Sequence, residues 1–441
     1  MKLLAGAVMF LAGASLATSA MSTTLYGGGA TLPAGGYVGW NWVASQTRLT
    51  PDASKTPAVT VDPASMFGAW AGSTNAVQYC QTGSGGGKRV LDGDTVTAPS
   101  LTPTGTCGDF LTGGVANAGF QIPSTASSSF PDFVGSDAPI SSSEYGTFVT
   151  NNGTAKGEPI QFPAVAGSIA VIYRNDSLSA PLNLTTTQVC KIFDGEFTNW
   201  TDINPSFASK PINVVFRSDG SGTTYNLMNN LNHLCSAIVP TGTFFAVDQT
   251  FASDVAFAGH VLPIGQSTWP GIKTPANGNP AVVSAVAGSD GAIGYAEAAN
   301  VKNGGGASVQ MATINGFDPV NDLPATFNLP SGSVVFDKTT GVDSSTGAAT
   351  LAARSPNTTA NCLAVVDPNQ INNLSGTYPL VAVSYILANQ KGNSTRLTSL
   401  RSFINFLYTH AGVTTIGTGT GYAFIGNAGI NSLKVTSCTA S

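Results

Sequence analysis

The chain has 441 residues, enough for about two or three domains that each bury a core of their own. Charged residues make up only 9% of it, against roughly 25% in an average soluble protein, and the net charge at pH 7 is −5. This composition argues against nucleic-acid binding, which needs a basic surface. The three histidines argue against a multi-histidine metal enzyme, and no motif predicts a metal or a cofactor.

The first twenty residues have the pattern of a secretory signal peptide. Lys2 gives a positive start, residues 3–17 are apolar or small, and Thr18 to Ala20 suit a signal-peptidase site. A retained membrane anchor is the alternative, but the segment is short and rich in Gly and Ala. No later stretch has about 18 uninterrupted apolar residues, so we expect no membrane insertion of the mature chain. The prediction is a signal peptide over 1–20 and a periplasmic or secreted protein.

The next segments alternate apolar runs with glycine-rich stretches. A strand beginning at Leu25 leads into a Gly-rich turn over 27–33 and then a helix. A second Gly-rich turn is predicted at Gly83–Gly87. Residues 92–129 are rich in Gly, Thr, Ser and Pro, which predicts an inserted surface loop.

Further along, apolar periodicity predicts four more strands and two helices. The strands are 133–136, 160–173, 214–217 and 380–387, and the helices are 223–234 and 396–410. Residues 303–361 show little periodicity and are predicted to form long loops or an insertion. Strands that alternate with helices predict an α/β fold with a largely parallel sheet.

Six cysteines follow the signal segment, and an even number in an exported protein predicts disulfides. Six cysteines allow about 15 pairings, and the sequence does not choose among them. Our working hypothesis is pairing in sequence order: Cys80–Cys107, Cys190–Cys235 and Cys362–Cys438.

Four polar segments follow predicted strands and suit a small oxyanion. Such a ligand needs many N–H and O–H donors and a close approach of the backbone, which glycine and helix N-termini provide. The segments are 29–32, 83–85, 135–137 and 217–224. Alone, each has a simpler explanation: a Gly-rich turn, an Arg in an ion pair, or an Asp that caps a helix. Together, at the ends of strands of one α/β chain, they indicate one anion site.

The chain also resembles a known family, through six motifs that occur in order. They are Gly28–Pro33, Gly83–Gly85, Gly135–Pro139, Gln161–Pro163, Arg217 with Ser221–Thr223, and Gly291–Tyr295. This pattern, which runs from about residue 25 to 428, resembles the PstS phosphate-binding proteins of bacterial ABC transporters, and its DING branch most closely. Thr24 to Tyr26 stand where that branch has Asp-Ile-Asn.

The resemblance implies a two-lobed type II periplasmic-binding-protein fold, with a hinge and an interlobe cleft. Lobe one would comprise 22–164 plus 380–441, and lobe two 165–379. The implied phosphate ligands are hydroxyl groups, backbone N–H groups, one guanidinium and one carboxylate that accepts a phosphate proton. They are Thr31, Leu32, Ser84, Asp137, Arg217, Ser221, Gly222 and Thr223.

The function implied by the resemblance is high-affinity binding of inorganic phosphate by a non-enzymatic monomer, serving an ABC permease. Two alternatives remain open. One is a secreted phosphomonoesterase, since an anion pocket suits both functions. The other is an extracellular adhesion or matrix protein that reuses the fold, which an exposed apolar patch in residues 303–361 would indicate.

Overall fold

The structure is a computed structural model that describes residues 25–39, 61–71, 77–93, 131–238, 244–251, 269–304, 306–354, 361–371, 376–392 and 396–439. The predicted signal peptide, Cys107 and residues 94–129 of the predicted insertion lie outside the described residues.

The described residues contain helices and strands in alternation. The helices are α1 (Ala34–Val38), α2 (Met66–Ala71), α3 (Gly83–Asp92), α4 (Ser142–Lys156), α5 (Thr186–Phe193), α6 (Trp200–Ile203), α7 (Gly222–Leu234), α8 (Asn279–Gly288), α9 (Ala298–Gly304), α10 (Pro368–Ile371), α11 (Leu397–Phe406) and α12 (Ser432–Cys438). The strands are β1 (Leu25–Gly29), β2 (Val77–Gln81), β3 (Phe133–Ser136), β4 (Pro159–Tyr173), β5 (Asn183–Leu184), β6 (Asn213–Arg217), β7 (Ile272–Ala276), β8 (Ala292–Glu297), β9 (Gln310–Met311), β10 (Thr313–Ile314), β11 (Thr326–Asn328), β12 (Val334–Phe336), β13 (Lys338–Val342), β14 (Ala349–Ala353), β15 (Ala364–Val366), β16 (Val381–Asn389) and β17 (Tyr422–Gly426).

Eleven of the described strands form one mixed sheet with the main order β2-β1-β3-β16-β4-β8-β6-β7. Strand β1 pairs in parallel with β2 and β3, and β6 pairs in parallel with β7 and β8. Between these groups, β4 pairs antiparallel with β16 along its first part and with β8 along its last part. The prediction of a largely parallel sheet is therefore wrong at the centre, where β4 runs against its neighbours.

Strand β4 divides the sheet into two halves. We call β1, β2, β3, β16, β17 and the helices that follow the first three (α1, α3, α4) the first half. The second half is β6, β7, β8 and the helices that follow them (α7, α8, α9). All fifteen residues of β4 are buried, and this explains why most of them are apolar.

The predicted strands and the two predicted helices are present, with bounds shifted by a few residues. The predicted helix 223–234 is α7, and 396–410 shortens to α11. The prediction for residues 303–361 is wrong in part, because the chain there forms the short strands β9 to β14.

The predicted turn at Gly83–Gly87 is also wrong, because these residues form the first half of helix α3. Glycine is a poor helix former, but here the missing side chains allow close packing. A Cβ atom on Gly87 would lie 2.6 Å from the Gly29 Cα atom, and one on Gly85 would lie 3.0 Å from the Gly220 carbonyl oxygen. The glycines therefore let the helix approach β1 and the loop after β6.

Two of the three hypothesised disulfides lie within the described residues. Cys190 of α5 is bonded to Cys235 at the end of α7, and Cys362 is bonded to Cys438 of α12. Cys80 is also disulfide-bonded. Its hypothesised partner lies outside the described residues.

Candidate functional site

The candidate residues follow the carboxyl ends of parallel strands from both halves. Thr31 and Leu32 follow β1, Ser84 lies in the first turn of the helix after β2, and Asp137 follows β3. In the second half, Arg217 ends β6 and α7 begins five residues later. Loops beyond the carboxyl ends of strands are where α/β sheets bind ligands.

Ser84 and Asp137 form the first part of the site. The Asp137 N–H donates to the Ser84 hydroxyl oxygen at 3.0 Å, and that hydroxyl lies 3.4 Å from Asp137 Oδ2. Both residues are 1% exposed. The other carboxylate oxygen, Oδ1, is buried and has no hydrogen-bond partner of good geometry among the described residues. A buried acceptor without a partner is costly, so this atom is available to a ligand.

Arg217 forms the second part of the site and is held by an acidic neighbour. Its Nε donates to Asp219 Oδ1 at 2.6 Å, and its Nη2 donates to Asp219 Oδ2. Nη1 donates to Asn279 Oδ1 at 2.8 Å and lies 3.4 Å from the hydroxyl oxygens of both Thr31 and Thr223. The guanidinium thus brings hydroxyl groups of both halves together.

The N-terminus of α7 joins these two parts. The Ser221 side chain caps the helix by accepting from the Thr224 N–H at 3.0 Å, and the first N–H groups of a helix have no partner within it. A Cβ atom on Gly222 would lie 2.4 Å from Ser84 Oγ and 2.6 Å from Asp137 Cβ. Only glycine allows the helix of the second half to approach the first half this closely.

The turn after β1 adds two backbone donors. Thr31 and Leu32 are buried, and neither of their N–H groups has a hydrogen-bond partner among the described residues. Nearly all buried N–H groups in proteins are paired, so two adjacent unpaired ones indicate a place for a ligand acceptor. All eight residues predicted from the sequence therefore lie in one place, and most of them supply hydrogen-bond donors there.

Burial controls the charge of the site. Removal from water raises the pKa of Asp137 to about 7, although the nearby Ser384 hydroxyl, the Arg217 charge, Ser84 and Lys88 each favour its ionised form. Burial also disfavours the charged form of Arg217, but Asp219 outweighs that effect and raises the Arg217 pKa. Near neutral pH, then, Asp137 is poised between a proton donor and a proton acceptor.

Sequence reasoning missed the residues that hold the ligand donors. Asp219, the acidic partner of Arg217, lies two residues beyond it in the same motif and could have been found there. Asn279 is the first residue of α8, and Tyr295 of β8 accepts from the Arg217 N–H at 3.1 Å. These two come from distant segments, and only the fold brings them to Arg217.

Comparison with known proteins identifies the class. Residues 58–411 match the family model described as a PBP superfamily domain, so the chain belongs to the PBP superfamily. The predicted α/β two-lobed binding-protein fold is confirmed: the described structure aligns with PfluDING, a high-affinity periplasmic phosphate-binding protein solved with bound phosphate at pH 8.5. That alignment covers 92% of this chain and 91% of PfluDING, with a TM-score of 0.56 and 21% identity.

Several curated proteins are similar in sequence to part of the chain. Over 206 residues the chain is 34% identical to Alkaline phosphatase L of Pseudomonas aeruginosa, covering 46% of this chain and 50% of that protein. Over 174 residues it is 33% identical to the Phosphate-binding protein PstS 3 of Mycobacterium leprae, covering 38% and 40%. The chain spans about half the length of the curated relatives it matches. Over part of its length the chain is similar to PstS proteins, and DING proteins are among its structural neighbours, as the motifs predicted.

Two features are absent from the described residues. None of the described helices is both long enough and apolar enough to cross a membrane. Within the same residues, no three His, Cys, Asp or Glu side chains are grouped as metal ligands.

Proposed function

We propose that this protein binds inorganic phosphate at the ring of donors around Asp137. The observation that carries the proposal is the Asp137 carboxylate itself, which is buried beside hydroxyl and N–H donors and has one oxygen without a hydrogen-bond partner of good geometry among the described residues. An anion site made only of donors would accept any oxyanion. One acceptor in it requires the ligand to bring a proton.

Each group has a defined task in this proposal. Arg217 and the N-terminus of α7 balance the ligand charge, and Thr31, Leu32 and Ser84 donate to its oxygens. Ser221, Gly222 and Thr223 add hydroxyl and N–H donors from the second half. Asp137 accepts the hydrogen that phosphate retains near neutral pH and sulfate lacks.

The same contact disfavours sulfate. Sulfate would place lone pairs against the Asp137 carboxylate with no hydrogen between them. Leaving such buried groups unpaired is enough for discrimination of about 10⁴. This selectivity comes from repulsion of the wrong ligand, in addition to attraction of the right one.

We further propose that the two halves close on phosphate by bending at β4 and β16, the segments that join them. The lobe bounds 22–164 plus 380–441 and 165–379 fit this motion, since the bound at 164 falls inside β4. The resemblance supports export through the signal peptide, a periplasmic or secreted location, a monomeric state and delivery of phosphate to an ABC permease.

Calorimetric titration of the phosphate-stripped protein with phosphate, arsenate and sulfate at pH 8, above the pKa of Asp137, tests the proposal. We expect tight binding of phosphate and arsenate, which share the proton, and binding of sulfate weaker by at least about a thousandfold. Equal affinity for phosphate and sulfate, or no phosphate binding, would contradict it.

A second candidate, phosphomonoester hydrolysis, is favoured by two observations. Three relatives carry the name Alkaline phosphatase L. The Ser84 hydroxyl also lies 3.4 Å from Asp137, whose pKa of about 7 suits a general base. We nevertheless favour a binding protein, because a buried carboxylate that is free to accept explains selectivity without any reaction.

Turnover of p-nitrophenyl phosphate by the wild type and by Ser84→Ala distinguishes the two functions. A hydrolase would show turnover that copurifies with the protein and is lost in Ser84→Ala. A binding protein would show none, with p-nitrophenyl phosphate at most competing with phosphate. The matrix-protein alternative gains no support from the described part of residues 303–361, where Val342, at 37% exposure, is the one exposed large apolar side chain.

A further inference from the structure

The backbone carbonyl groups of the turn after β1 are held by side chains from other segments. Its three consecutive carbonyl oxygens each accept a hydrogen bond from a side chain of another segment. The pairs are Tyr79 Oη to the Ala30 carbonyl at 2.7 Å, Asn300 Nδ2 to the Thr31 carbonyl at 3.4 Å, and Tyr422 Oη to the Leu32 carbonyl at 2.6 Å.

Holding these carbonyls fixes the direction of the opposite N–H groups. In a trans peptide the C=O of one residue and the N–H of the next point in opposite directions. The Ala30 carbonyl therefore sets the Thr31 N–H, and the Thr31 carbonyl sets the Leu32 N–H. These are the two buried N–H groups that have no partner among the described residues. The Leu32 carbonyl precedes Pro33, which has no N–H, so Tyr422 acts by anchoring the end of the turn.

Two of the three side chains meet at one buried carboxyl group. Glu297 ends β8 in the second half and is 0% exposed. Its Oε2 accepts from the Asn300 N–H and from Asn300 Nδ2, each at 2.8 Å, and lies 3.1 Å from Tyr422 Oη. The other oxygen, Oε1, accepts from the Ala299 N–H at 2.5 Å. Glu297 thereby orients Asn300, which holds the Thr31 carbonyl, and it lies beside Tyr422, which holds the Leu32 carbonyl.

We propose that Glu297, through Asn300 and Tyr422, is a positioning residue of the anion site: it holds the turn after β1 so that its free N–H groups face the ligand. The carboxyl group does not touch the ligand. It belongs to the second half, and the turn belongs to the first, so the hydrogen-bonded chain also links the two halves behind the site.

A fixed donor is worth more than a mobile one, because the cost of ordering it is met on folding and not on binding. Loss of one link should therefore weaken ligand binding more than the loss of a similar hydrogen bond elsewhere. This inference rests on the proposed phosphate binding, and the experiment separates the two.

Tyr422→Phe is the informative variant, because it removes one hydroxyl and leaves the ring. Tyr378→Phe is its matched control: Tyr378 is also 0% exposed and donates to a backbone carbonyl, that of Ile169, at 3.0 Å, but it holds no part of the turn. We would measure the urea midpoint of the ligand-free proteins and the phosphate Kd by calorimetry.

We expect both variants to lose similar stability, and only Tyr422→Phe to lose phosphate affinity, by about tenfold, the effect of one hydrogen bond. Glu297→Gln, whose amide cannot accept from all the donors that surround it, should lose affinity in the same way. If Tyr422→Phe does not fold, Glu297→Gln tests the positioning role in its place.

The positioning role alone would be overturned if wild type binds phosphate but Tyr422→Phe and Glu297→Gln change its Kd no more than Tyr378→Phe does. Absence of phosphate binding in the wild type would overturn the proposed function and this inference with it.

Discussion

Two buried carboxyl groups, one in each half, show how the same residue chemistry serves different purposes. Asp137 follows a strand of the first half and is 1% exposed, and Glu297 ends a strand of the second half and is 0% exposed. Burial raises the pKa of Asp137 to about 7 and that of Glu297 to about 8. By desolvation alone, the two groups look alike.

Their hydrogen bonds separate them. Both oxygens of Glu297 accept from N–H groups of its own half. Asp137 has Arg217 and Lys88 near enough to favour its charge, yet its Oδ1 has no partner of good geometry among the described residues. A satisfied carboxyl holds structure in place, and an unsatisfied one is available for a ligand.

The largest effect should come from removing the positive charge beside Asp137. Arg217→Ala is expected to weaken phosphate binding by about 2–5 kcal/mol, because it removes the guanidinium and leaves Asp219, whose side chain is 12% exposed, without its ion-pair partner. Calorimetry measures the loss. The matched control is Arg396→Ala, whose buried guanidinium pairs with Asp132 at 2.7 Å, where it contacts none of the proposed phosphate ligands. Equal phosphate affinity in the two variants would contradict the role of Arg217.

A smaller effect is expected from the contact between the halves. Gly222→Ala places a methyl group within 2.4–2.6 Å of Ser84 and Asp137 and should weaken phosphate binding by about 1–3 kcal/mol, the usual cost of overpacking. Gly146→Ala, in helix α4 with no atom within 4 Å of the new methyl group, is the control. It should bind phosphate as wild type does and gain slightly in stability. Full phosphate affinity in Gly222→Ala would show that the halves do not need to approach this closely.

A separate effect concerns the stability of the ligand-free protein and not the binding of phosphate. The folded state raises the pKa of Asp137 from 3.8 to about 7, so it binds this proton more tightly than the unfolded chain. Its contribution to the free energy of unfolding is therefore full below about pH 4 and is lost as pH rises to about 7.

Asp137→Asn has no proton to lose there. Its stability relative to wild type should rise by about 1.4 kcal/mol for each pH unit between those limits. Glu297 titrates in both proteins, so its contribution cancels in the difference. Urea unfolding at pH 4, 5.5 and 7 measures the difference in free energy of unfolding between the two proteins. A difference that does not change with pH would mean that burial does not perturb the pKa of Asp137.

The contrast between the two carboxyl groups also shows what the sequence could reveal. Asp137 was predicted because it lies in a motif directly after a strand, and the ends of strands are where α/β sheets bind ligands. Glu297 and Tyr422 belong to no such motif, and only the fold brings Tyr422 to the Leu32 carbonyl and to Glu297. Contacts between residues more than a hundred positions apart leave no local pattern in one sequence.

The glycines of α3 illustrate the opposite error. Their local preference favours a turn, but they form a helix because Gly29 and Gly220 pack where side chains would stand. Here, packing against backbone that is distant in sequence outweighs the poor helix propensity of glycine. The fold class and the clustering of the candidate residues were therefore predictable, and most of the residues that orient them were not.

The most direct test of the central claim compares wild type with Asp137→Asn in titrations with phosphate and sulfate at pH 8. If the carboxylate favours a ligand that carries a proton, wild type should bind phosphate about 10³–10⁴ times more tightly than sulfate. The variant should lose at least about a hundredfold of that preference, mainly by gaining sulfate affinity. An unchanged ratio of the two affinities in Asp137→Asn would contradict the account.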